Sequence, residues 1–239
     1  MVLRRLARLS LVALIGSASL SACAGNPDNT GPLPEATGLV EEAAENLREL
    51  TSVAFEFRVS GEIPGLSVRE VEGVADREGG PNGTASGEAD AQLFTERVQY
   101  SFVLTDDTLT LTDPDGETTQ RPAPAEYTPA RLLDPEKGLR RLLTEATDLQ
   151  TETREELDDV ETYRVDGELD HRAISALVAG VHDDVDVKFW IAGASGRLMR
   201  IWVQVPPRKK NEGAVQLELA LSEHNATGSR SADEPADRS

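Results

Sequence analysis

The chain has 239 residues, a formal net charge of −19, a single cysteine and 4% aromatic residues. A surface this acidic argues against binding to nucleic acid and against lying flat on anionic lipid. One cysteine excludes an intramolecular disulfide, and the chain is long enough to bury a core without one.

The N-terminus is typical of an export signal. Arg4, Arg5 and Arg8 make a positive start, and an apolar run follows over residues 9–20. A membrane-spanning helix needs about 20 apolar residues, so a run of this length favours a cleaved signal over a span. We therefore predict a signal peptide over residues 1–22.

The signal ends in Leu20-Ser21-Ala22-Cys23, which resembles a bacterial lipobox. The alternative is an ordinary signal peptide that happens to contain a cysteine. Two features favour the lipobox: Cys23 is the only cysteine, and residues 23–34 after it are rich in Gly, Pro and Asn, as expected of a tether. We predict that Cys23 carries acyl chains and holds the exported protein on the outer face of the cell membrane, since two chains anchor stably. Loss of the three arginines in the signal would leave a net charge of −22.

Apolar spacing then predicts the first elements of a folded domain. Residues 39–50 repeat at helical spacing, with acidic residues on the opposite side. Strict alternation over 53–59 predicts a strand, Ile63-Pro64-Gly65-Leu66 a turn, and 68–74 a second strand. The domain therefore opens with a helix and a hairpin.

Alternation continues through the middle of the chain. It predicts strands over 89–93, 98–104 and 109–111. Two short helices are predicted next, over 129–133 and 134–146, the second with Asp134 as N-cap and Pro135 at its first position.

The last part of the domain returns to strands. These are predicted over 162–170, 185–191, 198–205 and 215–221, with a short helix over 171–179. About nine strands follow one another instead of alternating with helices, which favours an α+β fold: an antiparallel sheet with helices on one face. We predict one domain over 35–222 and a disordered acidic tail over 223–239.

Convergent catalytic groups are not found in the sequence. There are three histidines and no Gly-x-Ser-x-Gly motif, so we expect no enzyme, no metal and no cofactor. The residues most similar to a metal cluster are His182, Asp183, Asp184 and Asp186. A solvated loop leading into a strand explains them more simply.

Two further charged segments have ordinary interpretations. The acidic residues between Glu152 and Asp159 are interpreted as a charged turn. Pro207-Arg208-Lys209-Lys210 is interpreted as a hairpin tip, with contact to a partner or a lipid headgroup as the alternative.

Several short motifs together resemble a known family. They are Gly31-Pro32-Leu33-Pro34, then Val59-Ser60-Gly61-Glu62-Ile63-Pro64-Gly65-Leu66, then Tyr127-Thr128-Pro129-Ala130, then Leu133-Asp134-Pro135, and Trp190-Ile191. In this order they are similar to the LppX/LprA/LprF/LprG lipoproteins of mycobacteria and other actinobacteria, nearest to the LprG branch. The resemblance covers residues 31–221.

The resemblance implies a fold and a function. The fold is a half-barrel like that of LolA and LolB: a curved antiparallel sheet, helices over its concave face and an apolar cavity between them. The function is to hold acyl chains of di- or triacylated lipids or glycolipids and to move them toward the outer envelope. The LprG branch is associated with an exporter of the major facilitator type, which is therefore a candidate partner.

Within that expectation, small residues indicate where a cavity would lie. Ala89 and Ala91 occupy inward strand positions that usually carry Val, Ile or Leu. The alternative is tight repacking, because an empty cavity costs about 24 cal/mol per Å³. The rival function is a ligand-free scaffold or exporter partner with a solid core. The residues predicted to line the cavity are Phe55, Phe57, Ala89, Ala91, Leu93, Tyr100, Phe102 and Leu142.

Overall fold

The structure, a computed structural model, describes residues 27–28, 30–93 and 96–226, without the side chain of Leu93. Four α-helices are present in this part of the chain: α1 (Ala36–Arg48), α2 (Pro129–Leu132), α3 (Arg140–Thr144) and α4 (His171–Ser175). A 3₁₀ turn, Ala125–Tyr127, precedes α2. None of the described helices has the length and apolar character needed to cross a membrane.

Eleven strands make up the rest of the domain. They are β1 (Ser52–Ser60), β2 (Val68–Asp76), β3 (Thr84–Leu93), β4 (Glu96–Thr105), β5 (Thr108–Thr112), β6 (Thr118–Pro122), β7 (Thr147–Leu157), β8 (Val160–Leu169), β9 (Val185–Ala192), β10 (Leu198–Val205) and β11 (Val215–Ser222). They form one sheet in the order β6-β5-β4-β3-β2-β1-β11-β10-β9-β8-β7, with antiparallel neighbours throughout. The predicted α+β fold with a curved, open antiparallel sheet is confirmed.

Helix α1 lies across one half of the inner face of the sheet. Its N-cap is Glu35, whose side chain accepts a hydrogen bond from the Gly38 N–H at 2.8 Å. Val40, Ala43 and Leu47 recur at helical spacing and are buried. Ala43 is fully buried, and its small side chain lets the helix approach the strands closely.

The main core fills the space between the helices and strands β8, β9, β10, β11 and β1. Phe189 and Ile191 on β9 are fully buried, as is Leu198 at the start of β10. Leu142 and Leu143 bring α3 into the same cluster. Burial of apolar side chains contributes about 25 cal/mol per Å², so this continuous cluster is the principal source of stability.

Two strands, β6 and β7, were not predicted from the sequence, and the prediction of a charged turn over 152–159 is wrong. Glu152 and Glu155 lie on β7, and only Asp158 and Asp159 turn the chain. Glu152 pairs with Arg164 and with Lys188, each at 2.8 Å. Because cross-strand ion pairs replace apolar alternation on β7, the hydrophobic pattern of the sequence does not indicate a strand there.

The predicted helix over 134–146 is shorter than expected. Asp134 is not a helix N-cap: its side chain accepts hydrogen bonds from the Glu136 and Lys137 N–H groups, both at 2.8 Å, within a turn. The residues after it form a turn, and α3 begins only at Arg140. At Gly138 a Cβ would overlap the carbonyl oxygen of Leu132, so the chain packs back against α2 before the helix starts.

The predicted boundary of the C-terminal tail is also corrected. Residues 223–226 belong to the folded domain, whereas 227–239 lie outside the described residues. His224 Nε2 donates to the Leu198 carbonyl oxygen at 2.9 Å, and burial lowers the pKa of this imidazole. The Asn225 side chain accepts from the Thr51 N–H at 2.8 Å and donates to the Glu49 carbonyl oxygen at 3.2 Å. These contacts tie the end of β11 to the connection between α1 and β1. We call the contacts of Asn225 the clasp.

Replacing Asn225 with alanine should lower the free energy of unfolding by about 2–3 kcal/mol. The change removes all four side-chain hydrogen bonds of Asn225, to Thr51 (two), Ser52 and Glu49, and places a residue without a polar side chain at a φ of 54°. Urea unfolding measures the loss. The control is Asn211→Ala, at an exposed hairpin position with no side-chain hydrogen bond in the described structure. Equal stability of the two variants would contradict the clasp.

Candidate functional site

The register of β1 to β4 builds three rows of apolar side chains across the inner face of the sheet, next to the main core. Residues opposite each other on antiparallel strands point to the same face, so the register defines each row. The first row holds Phe57, Val71, Ala89 and Tyr100; the second holds Phe55, Gly73, Gly87 and Phe102; the third holds Val53, Ala75, Ala85 and Leu104.

The rows form a trough. In the first two rows, rings from β1 and β4 stand at the sides, and the small residues of β2 and β3 lie between them. Neighbouring strands are about 4.8 Å apart, so three spacings separate the two walls by about 14 Å along the sheet. We call this surface, defined by the three rows, the trough. Its rows contain no charged side chain.

Gly73 and Gly87 face each other at the bottom of the trough. A Cβ on Gly87 would overlap the Glu72 carbonyl oxygen and lie 2.6 Å from the Gly73 Cα. A Cβ on Gly73 would overlap the Ser86 carbonyl oxygen. The two strands therefore approach too closely here for any side chain, as happens where a sheet bends sharply.

One end of the trough is closed. The Ala130 N–H donates to the Asn82 carbonyl oxygen at 3.0 Å, and the Asn82 side chain donates to the Asp106 carbonyl oxygen at 3.0 Å. A Cβ on Gly83 would lie 3.0 Å from the Pro129 Cβ. The helix α2 and the loops beside it therefore cover the third row.

Exposure increases from the closed end to the other end. Along β4, Leu104 is 4% exposed, Phe102 is 9% exposed and Tyr100 is half-buried. Phe55 and Phe57 on the opposite wall are half-buried as well. The trough is thus most accessible at its first row, and beyond that row Val59 on β1 and Ala91 on β3 are buried again.

The trough is continuous with the main core along its third row. Val53 and Ala75 belong to the core cluster, and Phe55, Phe57 and Ala85 pack against it. On the β4 side, Phe102 and Leu104 are buried without belonging to that cluster. The trough is therefore an apolar extension of the core toward β4.

The structure brings together most of the residues predicted to line a cavity. Five of them lie in the first two rows: Phe55, Phe57, Ala89, Tyr100 and Phe102.

The remaining three predicted residues stand apart from those rows. Ala91 is the next inward residue on β3, opposite Val98. Leu142 lies in the main core instead, beneath α1, and the side chain of Leu93 is outside the described structure.

The floor residues on β2 were missed in the sequence. Val71, Gly73 and Ala75 alternate with longer residues, just as Ala85, Gly87 and Ala89 do on β3. The sequence pattern that could have indicated this floor is the recurrence of short side chains at every second position on two consecutive strands.

Two surface pockets lie elsewhere on the described structure. One, of about 260 Å³, lies between the β1–β2 turn and the β10–β11 hairpin, and is lined by Ile63, Gly180 and Val215 among others. The other, of about 90 Å³, lies beside His224. Neither is lined by a residue of the predicted cavity.

The acidic residues and histidine that the sequence predicted to form a solvated loop lie away from the trough. His182, Asp183 and Asp184 are exposed, as predicted for a solvated loop. Asp184 lies 3.1 Å from His171 Nδ1 and also accepts the His171 N–H, which lowers the pKa of that carboxyl. These are hydrogen bonds at the start of a short helix.

The basic hairpin is partly neutralised by its own acidic residue. Arg208 and Lys209 lie 3.8 and 3.2 Å from Glu212, and Lys210 has no ion pair within the described residues. The predicted hairpin tip between β10 and β11 is confirmed.

The chain is similar to known proteins in both sequence and fold. The family model described as "LppX_LprAFG lipoprotein" matches residues 35–227. The lipoarabinomannan carrier protein LprG of Mycobacterium tuberculosis is 32% identical over 176 residues, which cover 73% of each chain.

Two solved structures share the fold. LprF from Mycobacterium bovis superposes with a TM-score of 0.70 and 21% identity, covering 83% of this chain and 96% of that one. LppX from Mycobacterium tuberculosis superposes with a TM-score of 0.61 and 18% identity, covering 81% and 97%. At these identities the likeness is one of fold.

Proposed function

Because the chain belongs to the LppX_LprAFG lipoprotein family, we propose that it carries the acyl chains of a lipid or glycolipid in the trough. The observation that carries the proposal is the arrangement of the first two rows. Aromatic rings on β1 and β4 flank a floor of Gly, Ala and Val71 on β2 and β3, without a charged group. Apart from the Tyr100 hydroxyl, such a surface offers dispersion contacts and not directional hydrogen bonds, which suits alkyl chains of varied length.

The energetics favour a carrier. Each CH₂ removed from water contributes about 0.8 kcal/mol, so a lipid with two or three long tails does not cross an aqueous gap alone. An apolar trough compensates for that cost during transfer. The headgroup would lie at the first row, where the trough is most accessible, because the third row is covered by α2.

The relative's name suggests the class of cargo. LprG of Mycobacterium tuberculosis is a lipoarabinomannan carrier, and we propose a di- or triacylated glycolipid for this chain too. Transfer would run toward the outer envelope, with an exporter of the major facilitator type as the partner that supplies or receives the lipid.

The proposal includes a membrane anchor. Cys23 lies outside the described residues, and its acylation stays a prediction from the lipobox. Anchored there, the protein would be exported and held on the outer face of the cell membrane. The function requires no catalytic group.

One observation favours a second candidate, a ligand-free scaffold or exporter partner. Neither surface pocket lies on the trough, and the space beneath α1 is filled by the main core. In this alternative, the side chains of the trough fill it themselves and leave no room for a lipid.

Mass spectrometry of bound lipid distinguishes the two. The chain without residues 1–23 is expressed in a related lipid-rich host, purified without detergent and extracted with solvent. We expect a diacyl or triacyl species in stoichiometric amount. A folded protein whose extract contains no lipid, even after incubation with envelope lipids, would favour the scaffold.

A further inference from the structure

Part of the segment predicted as a free tether is bound to the edge of the sheet. The Asp28 N–H donates to the Arg154 carbonyl oxygen, and the Arg154 N–H donates to the Asp28 carbonyl oxygen, both at 2.7 Å. Arg154 Nη2 also lies 2.8 Å from Asp28 Oδ2. We call this pairing the clip. It makes residue 28 an additional partner of β7, the last strand at that edge.

Two neighbouring contacts stabilise the clip. Thr30 donates to Asp28 Oδ1 through its N–H at 2.8 Å and its hydroxyl at 2.6 Å. Together with Arg154, these hydrogen bonds lower the pKa of the Asp28 carboxyl to about 2. Farther along, the Thr151 hydroxyl donates to the Pro34 carbonyl oxygen at 2.8 Å. The segment thus follows the β7 edge before α1 begins.

The clip shortens the connection between the domain and Cys23. From Cys23 to Asp28 is five residues, which span about 17 Å when fully extended. Without the clip, thirteen residues to Ala36 would span about 45 Å. The opposite edge of the sheet, β6, is ten strand spacings away, or about 48 Å along the curved sheet.

From these lengths we infer that the β7 edge, closed by the clip, is the surface that faces the bilayer carrying the anchor. The inference rests on the acylation of Cys23 in the proposed function. A connection of about 17 Å keeps the β7 edge within that distance of the bilayer, whereas opening the clip lets the domain move up to about 45 Å away and turn the β6 edge toward it more freely. The trough, on β1 to β4, then lies on the half of the sheet away from that bilayer.

The charges at the β7 edge allow this edge to lie near the bilayer without binding to it. Glu156, Asp158 and Asp159 are exposed beside the clip. Anionic lipid repels them within a Debye length of about 8–10 Å, a gap that the short connection can span. The bilayer therefore orients the domain through the anchor and not through a basic contact surface.

Spin labels on the two edges test the orientation. The full chain is produced in an acylating host and reconstituted into vesicles that contain a nickel-chelating lipid as relaxation agent. Because acylation consumes the only native cysteine, Glu156→Cys on β7 or Gln120→Cys on β6 introduces a single labelling site. Both positions are exposed strand residues. We expect nickel to relax the label at 156 several-fold more strongly than the label at 120.

The variant that opens the clip is Asp28→Pro, which removes both the N–H donor and the carboxylate. It should abolish the difference between the two labels. The matched control, Asn26→Pro, adds the same ring outside the clip and should preserve the difference. Equal relaxation at 156 and 120 in the unmodified background, or no effect of Asp28→Pro, would overturn the orientation while leaving the carrier function intact. Failure of the protein to partition into vesicles would instead refute the anchor, and the orientation with it.

Discussion

An Ala89→Trp variant should lose its bound lipid while keeping its fold. Ala89 lies in the first row of the trough, between Val71 and Tyr100, and is half-buried. An indole buries about 150–250 Å² and would occupy the floor between the two aromatic walls. Because the trough opens toward this row, the ring has room without displacing the main core. We expect the amount of co-purified lipid to fall at least tenfold.

Extraction and mass spectrometry measure the loss, and circular dichroism confirms the fold. The matched control is Glu88→Trp, one position earlier on the exposed, opposite face of the same strand, which should retain the lipid. Ala91 is a poorer position, since it is only 8% exposed and a larger side chain there costs about 1–3 kcal/mol through overpacking.

The rival scaffold gives the opposite result. With a closed trough, Ala89→Trp would itself lower the free energy of unfolding by about 1–3 kcal/mol, and there would be no lipid to lose. A folded Ala89→Trp protein that retains stoichiometric lipid would contradict the trough as the binding site.

A Gly87→Ala variant should lose about 3 kcal/mol of unfolding free energy, the upper end of the usual cost of overpacking. The added methyl group would overlap the Glu72 carbonyl oxygen and crowd the Gly73 Cα, so backbone must move against backbone. Neither glycine requires a left-handed φ. Without this contact the same substitution would stabilise the protein by about 0.4–1 kcal/mol through the unfolded chain. The sign of the change therefore tests the close approach of β2 and β3.

Urea unfolding at constant pH measures the change, with Ser86→Ala as the control. Ser86 precedes Gly87 on the exposed face, so its substitution should change the free energy of unfolding by less than about 0.5 kcal/mol. Any stabilisation by Gly87→Ala would show that the strands do not meet as described. Separation of β2 from β3 should also widen the trough, so we expect weaker lipid retention in the folded fraction.

Local patterns predicted most elements of the fold. Strand β1 alternates strictly from Val53 to Val59, and α1 repeats its apolar residues at helical spacing, so both were predicted within three residues. β7 was missed because its polar side chains form ion pairs with Arg164 on β8 and Lys188 on β9, contacts that exist only once the strands have paired. The clasp of Asn225 was missed for the same reason, since its partners are near residue 50.

The candidate site was predictable in part. The inward positions of Phe55, Phe57, Ala89, Tyr100 and Phe102 follow from alternation alone. The position of Leu142 did not follow, because the direction of a helix face depends on where the helix docks.

Local sequence patterns were enough to predict an export signal and a lipobox, to indicate the α+β class of the domain, and to reveal the resemblance to the family to which the chain belongs. These properties are local or lie in the order of short motifs, so they do not depend on contacts between distant segments. The three-dimensional structure was needed to show that Gly73 faces Gly87, that rings from β1 and β4 flank the same floor, and that Asp28 pairs with the β7 edge. Each depends on strand register or on pairing between distant segments, and a shift of one residue would turn every side chain of a strand to the other face.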